Sequence, residues 1–239
     1  PIPSAELVGR VRADRGNKIL LSFSMGKDSL AMWLHLRRLG FEITPYFLHF
    51  VPGLQYVEKS LSYYESFFGV KILRLPHPLF YHMVRTWSYQ EPHAIPAVIS
   101  FEMFPAYDFA IIDDIVANSA GLGDVKPYCA VGMRSGDNLE RWRLIHRQGP
   151  VGIKHRRYYY AIWDWSNEQI AQILREEGCK LPPDYKLWGR TITAYSYKYL
   201  QFLKSAYPND YALTLQWFPL LEADEFRFEA MKHHEPSKN

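Results

Sequence analysis

Lys18-Ile-Leu-Leu-Ser-Phe-Ser-Met-Gly-Lys-Asp-Ser-Leu-Ala-Met-Trp-Leu-His-Leu36 joins two hydrophobic periodicities. Ile19 to Phe23 has the length of a buried parallel strand, and Leu30, Trp33 and Leu34 then recur at helical spacing. The pattern predicts a strand feeding a helix through Ser24–Ser29. Gly26 permits close backbone approach, Lys27 adds a charge, and the hydroxyls of Ser22, Ser24 and Ser29 stand beside the open amides of a helix start. Such a turn suits an anion, above all phosphate. The plainer reading is that Asp28 or Ser29 caps the helix. The spacing is that of neither the Walker loop nor the three-glycine dinucleotide fingerprint.

Working outward, residues 4–15 read as an amphipathic helix around Leu7, Val8 and Val11, and Ile43 to Phe50 as the next strand. A right-handed crossover places the ends of both strands on the edge where open α/β sheets bind ligands. Tyr56 to Phe68 has helical spacing closed by Gly69, and Val70 to Leu75 reads as a third strand ended by Pro76-His77-Pro78, with His77 read as a structural turn before a ligand. Residues 79–107 are dense in aromatics and prolines; Trp87, Tyr89 and Phe101 read as a packed aromatic cluster before a base-stacking one. Helical spacing resumes over 108–119, a fourth strand covers Tyr128–Met133, a fifth 158–163, and Ser166 opens a helix from Asn167 to Glu177. The tail after Tyr195 reads as helices that pack on the domain, on a second copy or on a partner protein. A solvated end follows, containing Lys232, His233, His234 and Glu235.

These elements predict an α/β fold: an open, mostly parallel twisted sheet with helices on both faces and a helical C-terminal extension. Residues 1–194 are expected to form the nucleotide-binding domain and 195–239 the extension. A chain of 239 residues, 48% hydrophobic and 16% aromatic, is too rich in core-forming side chains for a disordered protein. No apolar run approaches bilayer length, so no membrane partner is expected. A net charge of +3 does not by itself imply nucleic-acid binding. Cys129 and Cys179 have no paired spacing, which argues against a disulfide framework, a zinc site or an iron–sulfur cluster and fits a reducing cytoplasm. The opening Pro-Ile-Pro-Ser carries no basic-then-apolar leader.

Ser24, Gly26, Lys27, Asp28 and Ser29 resemble the Ser-Gly-Gly-x-Asp-Ser loop of the PP-loop ATP pyrophosphatases, in the Phe-Ser-Gly-Gly-Lys-Asp-Ser form of the phosphoadenylylsulfate reductase family. Met25 stands where that family has its first glycine, and a negative φ is expected there. Gly132, Arg134 and Arg141 match the family's Gly-x-Arg-x-x-x-Ser-x-x-Arg, with Asn138 in place of serine. Asp164, Trp165, Ser166, Gly178, Pro182 and Tyr185 recover most of a third signature, so the resemblance runs over about residues 18–190.

The resemblance implies an adenine nucleotide alpha hydrolase-like fold and a site for ATP with Mg2+. Ser22, Phe23, Ser24, Gly26, Lys27, Asp28, Ser29, Gly132 and Arg134 would bind the nucleotide. His49, Phe50 and Val51 would lie against its adenosine, Lys27, Arg134, Asp137 and Arg141 would act in catalysis, and Asp28 would meet the metal. The family's reductases need a cysteine near the C-terminus, and none follows Cys179. What the resemblance leaves is cleavage of ATP between the α and β phosphates, with adenylation of an acceptor and release of pyrophosphate. The basic aromatic run 154–160 favours a nucleic-acid or nucleotide acceptor. Two alternatives stay open: a nucleotide-binding partner subunit without turnover, and a sulfonucleotide reductase or sulfurtransferase that borrows a partner's thiol.

Overall fold

A computed structural model describes residues 1–94, 105–183, 185, 196–223 and 226–227. Six strands form one sheet: β1 Lys18–Phe23, β2 Glu42–His49, β3 Leu73–Pro76, β4 Cys129–Val131, β5 Val151–Gly152 and β6 Tyr158–Tyr159. Their order is β3-β2-β1-β4-β6-β5. β1 pairs in parallel with β2 (Ile19 opposite Ile43) and with β4 (Leu20 opposite Cys129); β4 and β6 are parallel, and β5 closes the edge antiparallel. Ile19, Leu20 and Leu21 are sealed on both faces, as an unbroken apolar run in a parallel sheet requires.

Side-chain alternation along β1 assigns the two layers. Phe23 meets Trp33 edge-on (5.1 Å) from helix α2 (Lys27–Arg38) and Tyr64 (5.3 Å) from α3 (Gln55–Phe68). Trp33 in turn stacks flat on Phe68 at 3.8 Å. Leu20 points the other way, into a cluster with Tyr46, Cys129 and the α5 (Phe109–Ser119) residues Ile112, Val116 and Ala117. The amino-terminal helix α1 (Ser4–Arg15) buries Leu7, Val8 and Val11, at the spacing read from the sequence.

Three local features stand out, the first of them a correction to the fifth strand read from the sequence. The run 158–163 is a strand only at Tyr158–Tyr159; the chain then turns, with Trp163 N–H donating to Tyr160 O and Trp165 N–H to Ile162 O, while Ala161 and Ile162 stay fully buried. Their apolar character reflects burial within a turn. Arg141 does not share a loop with Arg134: it lies in the first turn of α6 (Leu139–Gln148), where its N–H donates to the capping Asn138 side chain. The strand β5 is two residues long, too short to show a period. By contrast, Ser166 opens α7 (Asn167–Glu176) with a full capping box to Gln169.

The chain divides into two compact units. The first comprises Pro1–Leu48, Leu61–Leu75 and Tyr107–Thr191; the second comprises His49–Ser60, Pro76–Ala106 and Ile192–Asn239. Within the second, α4 (Pro78–Arg85) sets Phe80 edge-on to Trp217 (5.1 Å) and Phe218 (5.9 Å). Helices α8 (Tyr197–Ala206) and α9 (Pro208–Trp217) supply the helical C-terminal region. Buried Asp210 of α9 accepts the N–H groups of Gln55 (2.8 Å) and Tyr56 (3.0 Å) at the start of α3, so a carboxylate satisfies a helix terminus. Trp87 and Tyr89 sit in the left-handed region (φ 55° and 58°). Phe101, Tyr195, His233 and His234 lie outside the described residues, as does the surrounding Lys232–Glu235 run. Among the described residues no helix is long and apolar enough to cross a membrane.

Trp33 is 1% exposed and holds Phe23 and Phe68 together. Trp33→Ala is therefore expected to cost about 3–5 kcal/mol in urea unfolding; a loss below about 1 kcal/mol would contradict this packing.

Candidate nucleotide site

β1 and β4 lie side by side and parallel, but β1 continues through α2 to β2 on one flank, whereas β6 lies on the other. Chain direction thus diverges between them, and the crevice outside their carboxyl ends is where such sheets take ligands. The Ser24–Ser29 turn and Arg134 both occupy that edge.

Gly26 is the N-cap of α2, extended (φ −70°, ψ 154°) and without a side-chain cap, so neither Asp28 nor Ser29 caps the helix. The serines instead tie the turn to itself. Ser24 Oγ–H donates to Ser29 Oγ (3.1 Å), Gly26 N–H to Ser24 Oγ (3.3 Å), and Ser29 Oγ–H to Gly26 O (2.9 Å). Met25 corrects the expectation of negative φ: it adopts φ 59°. A left-handed non-glycine residue costs roughly 1–2 kcal/mol. Met25 is only 6% exposed, and burying such a side chain contributes about 1.5–3 kcal/mol. Packing outweighs the conformational preference.

Gly132 lets β4 come against this turn. A Cβ there would lie 2.9 Å from Ser29 N and 3.0 Å from Ser29 Cα, both backbone atoms that cannot yield cheaply. Two residues on, Arg134 is 3% exposed. Its Nε lies 2.7 Å from Asp28 Oδ1, an ion pair off the N–H axis and so without a directed hydrogen bond. Nη1–H donates to Trp165 O (2.9 Å), and Nη2–H to Asp137 Oδ1 (2.8 Å) and Asn167 Oδ1 (3.0 Å). Lys27 Nζ reaches Asp28 Oδ1 (2.8 Å) and Asn167 Oδ1 (3.4 Å), and Arg141 pairs with Asp137 Oδ2. Lys27, Arg134 and Arg141 against Asp28 and Asp137 leave one positive charge in excess. Lys27 N–H, a free amide of the first helical turn, donates to Tyr185 Oη (3.0 Å).

The structure therefore brings together Ser24, Gly26, Lys27, Asp28, Ser29, Gly132, Arg134, Asp137 and Arg141. Ser22 and Phe23 end β1, with the Phe23 ring committed to the core. His49, Phe50 and Val51 belong to the second unit. There Phe50 stacks on His77 (4.4 Å), Val51 is 1% exposed, and His49 O accepts from His77 N–H (2.9 Å). Burial holds the His49 imidazole below its usual pKa, and its Nδ1 has no hydrogen-bond partner among the described residues. His77 caps α4, its Nδ1 accepting from Leu79 N–H (3.0 Å), as the turn reading expects. Asn167 was not anticipated from the sequence; its only signal is its place directly after the capping Ser166. Among the described residues no three His, Cys, Asp or Glu side chains converge for a metal. Burial pushes the Cys129 thiol up to about 12 and that of Cys179 to about 11, so neither is a nucleophile at neutral pH.

Strain and burial at Met25 separate in two substitutions. Met25→Ala keeps the left-handed strain and loses the side chain, whereas Met25→Gly loses both, so the glycine variant is expected to be more stable by about 1 kcal/mol in denaturant titration. The reverse order would show that the φ value costs nothing.

No known family profile matches the chain, and no curated protein does. Among solved structures it is similar to the NH3-dependent NAD synthetase from Campylobacter jejuni subsp. jejuni NCTC 11168, determined in complex with the nitrate ion, with a TM-score of 0.44 and 12% identity over 99% of this chain and 97% of that one. The fold described above stands on its own strand order and register, independent of that likeness.

Proposed function

We propose that the chain binds ATP at the Ser24–Ser29 turn and cleaves it between the α and β phosphates. An acceptor oxygen forms the new bond to the α phosphorus, the α–β bridging bond breaks, and pyrophosphate leaves with its electron pair. The observation that carries this reading is the meeting of an uncapped helix start with Arg134 at the divergence of β1 and β4. The first-turn amides of α2 and Lys27 Nζ would hold phosphate oxygens, while Arg134 and Arg141, aligned by Asp137, would offset charge on the departing group. Magnesium, when bound, supplies charge to the pyrophosphate; the donor set fits an ion carried in on the nucleotide, because Asp28 Oδ2 enters neither of that residue's ion pairs.

A nucleic-acid or nucleotide acceptor draws support from α6. Trp142 is 48% exposed, stacks on His146 at 4.2 Å and is flanked by the exposed Arg143 and Arg147. The run 154–157 gives no such support, since it precedes β6 and lies at the opposite edge of the sheet. One observation favours the second reading, a partner subunit that binds nucleotide without turnover: Arg134 and Lys27 are already engaged by Asp28, Asp137 and Asn167.

ATP labelled at the α and γ phosphates decides between these readings. AMP and pyrophosphate are expected; ADP and phosphate would reject α-phosphate chemistry, and bound but intact ATP would establish the subunit reading. Lys27→Ala is expected to lower the rate about a hundredfold. An unchanged rate and affinity would remove the turn from the site.

A further inference from the structure

The basic run left over from the site above has a place of its own. We propose that the amino-terminal edge of the sheet carries a second anion site, for a small phosphate-bearing molecule. The inference is independent of the reaction at the turn.

A cavity of about 250 Å³ lies there, bounded by Leu20 early in β1, by α5 with the segment that follows it, and by the loop between β5 and β6. Its floor is a fixed polar network. The Tyr46 hydroxyl donates to Asp113 Oδ1 (2.8 Å), and Arg156 Nη2 donates to that hydroxyl (3.0 Å) and to Asp113 Oδ1 (3.3 Å). Arg156 is held besides by contact with Cys129 Sγ (3.2 Å) and by the ring of Phe109 at 5.1 Å. Asp113 is thereby spent on Arg156, whose side chain is 17% exposed.

The walls carry more positive than negative charge. Lys126, Lys154 and Arg157 make no ion pair among the described residues, and Asp114 is the one further carboxylate in the lining. Like charges gathered at one concavity repel, and a bound anion relieves that repulsion. Lys126 also holds φ 47°, a left-handed conformation that a lysine keeps only where its surroundings impose it. The cations come from two separate loops that line one concavity, Lys126 from the segment after α5 and Lys154 and Arg157 from the loop between β5 and β6. The volume falls just under the roughly 300 Å³ at which drug-sized pockets begin, which suits a charged head with two phosphates. Arginine and lysine donors match that chemistry.

Isothermal titration of the full chain with inorganic pyrophosphate tests this, using Lys27→Ala to disable the turn and Lys154→Ala/Arg157→Ala to disable the second site. Binding is expected to persist in Lys27→Ala and to weaken about a hundredfold when Lys154→Ala/Arg157→Ala is added to it, roughly tenfold per cation removed. The thermal midpoint of the double variant should match that of the parent. Pyrophosphate that does not bind Lys27→Ala, or that binds the Lys27→Ala/Lys154→Ala/Arg157→Ala variant as it binds Lys27→Ala, would overturn the proposal. So would a short single-stranded oligonucleotide that binds through Lys154 and Arg157 where pyrophosphate does not.

Discussion

A guanidinium held between two carboxylates organises the carboxyl edge of this sheet. Arg134, delivered by β4, lies between Asp28 in α2 and Asp137 in the next turn, and adds hydrogen bonds to the Trp165 carbonyl and to Asn167 at the start of α7. Three chain segments distant in sequence, at Asp28, at Arg134–Asp137 and at Trp165–Asn167, are thus fixed to one planar group. Withdrawing such a charge from water is tolerable only because its partners are placed around it, and removing one partner would leave an uncompensated buried charge costing about 3–5 kcal/mol. The same contacts set the Ser24–Ser29 turn against the end of β4, so the geometry of the proposed phosphate site and the stability of the edge are one problem.

Much of this was legible. The strand–turn–helix at 18–36 declares itself by a change of hydrophobic period, and an arginine directly after a short buried strand must emerge at the carboxyl edge. What escaped has physical reasons. Met25 takes the left-handed conformation because side-chain burial overrides backbone preference, and burial is not visible in local sequence. The segment 160–163 is apolar because it turns inside the protein, which a two-residue alternation cannot tell from a longer strand. Helix α6 carries a signal of its own in the sequence, Asn138 followed by Leu139, Trp142 and Ile145. Asn167 becomes meaningful only once α7 is packed on α2.

Strand polarity explains why two groups of basic residues have different settings. Residues after a parallel strand gather at one edge and residues before it at the other. Arg134 follows β4, whereas Arg156 and Arg157 precede β6, its parallel neighbour. Proximity in composition therefore says nothing about proximity in space: Arg156 is consumed by Asp113 and Tyr46 in a floor of its own, far in topology from Asp28.

The Tyr185 hydroxyl on the Lys27 amide has a thermodynamic consequence. The protein supplies its own oxygen to a helix terminus that would otherwise face water, so a phosphate that uses this amide arrives by exchange. Its apparent affinity is then its intrinsic affinity scaled by the fraction of time the tyrosine is away. Occupancy of the turn is in this way tied to the position of a side chain more than 150 residues downstream.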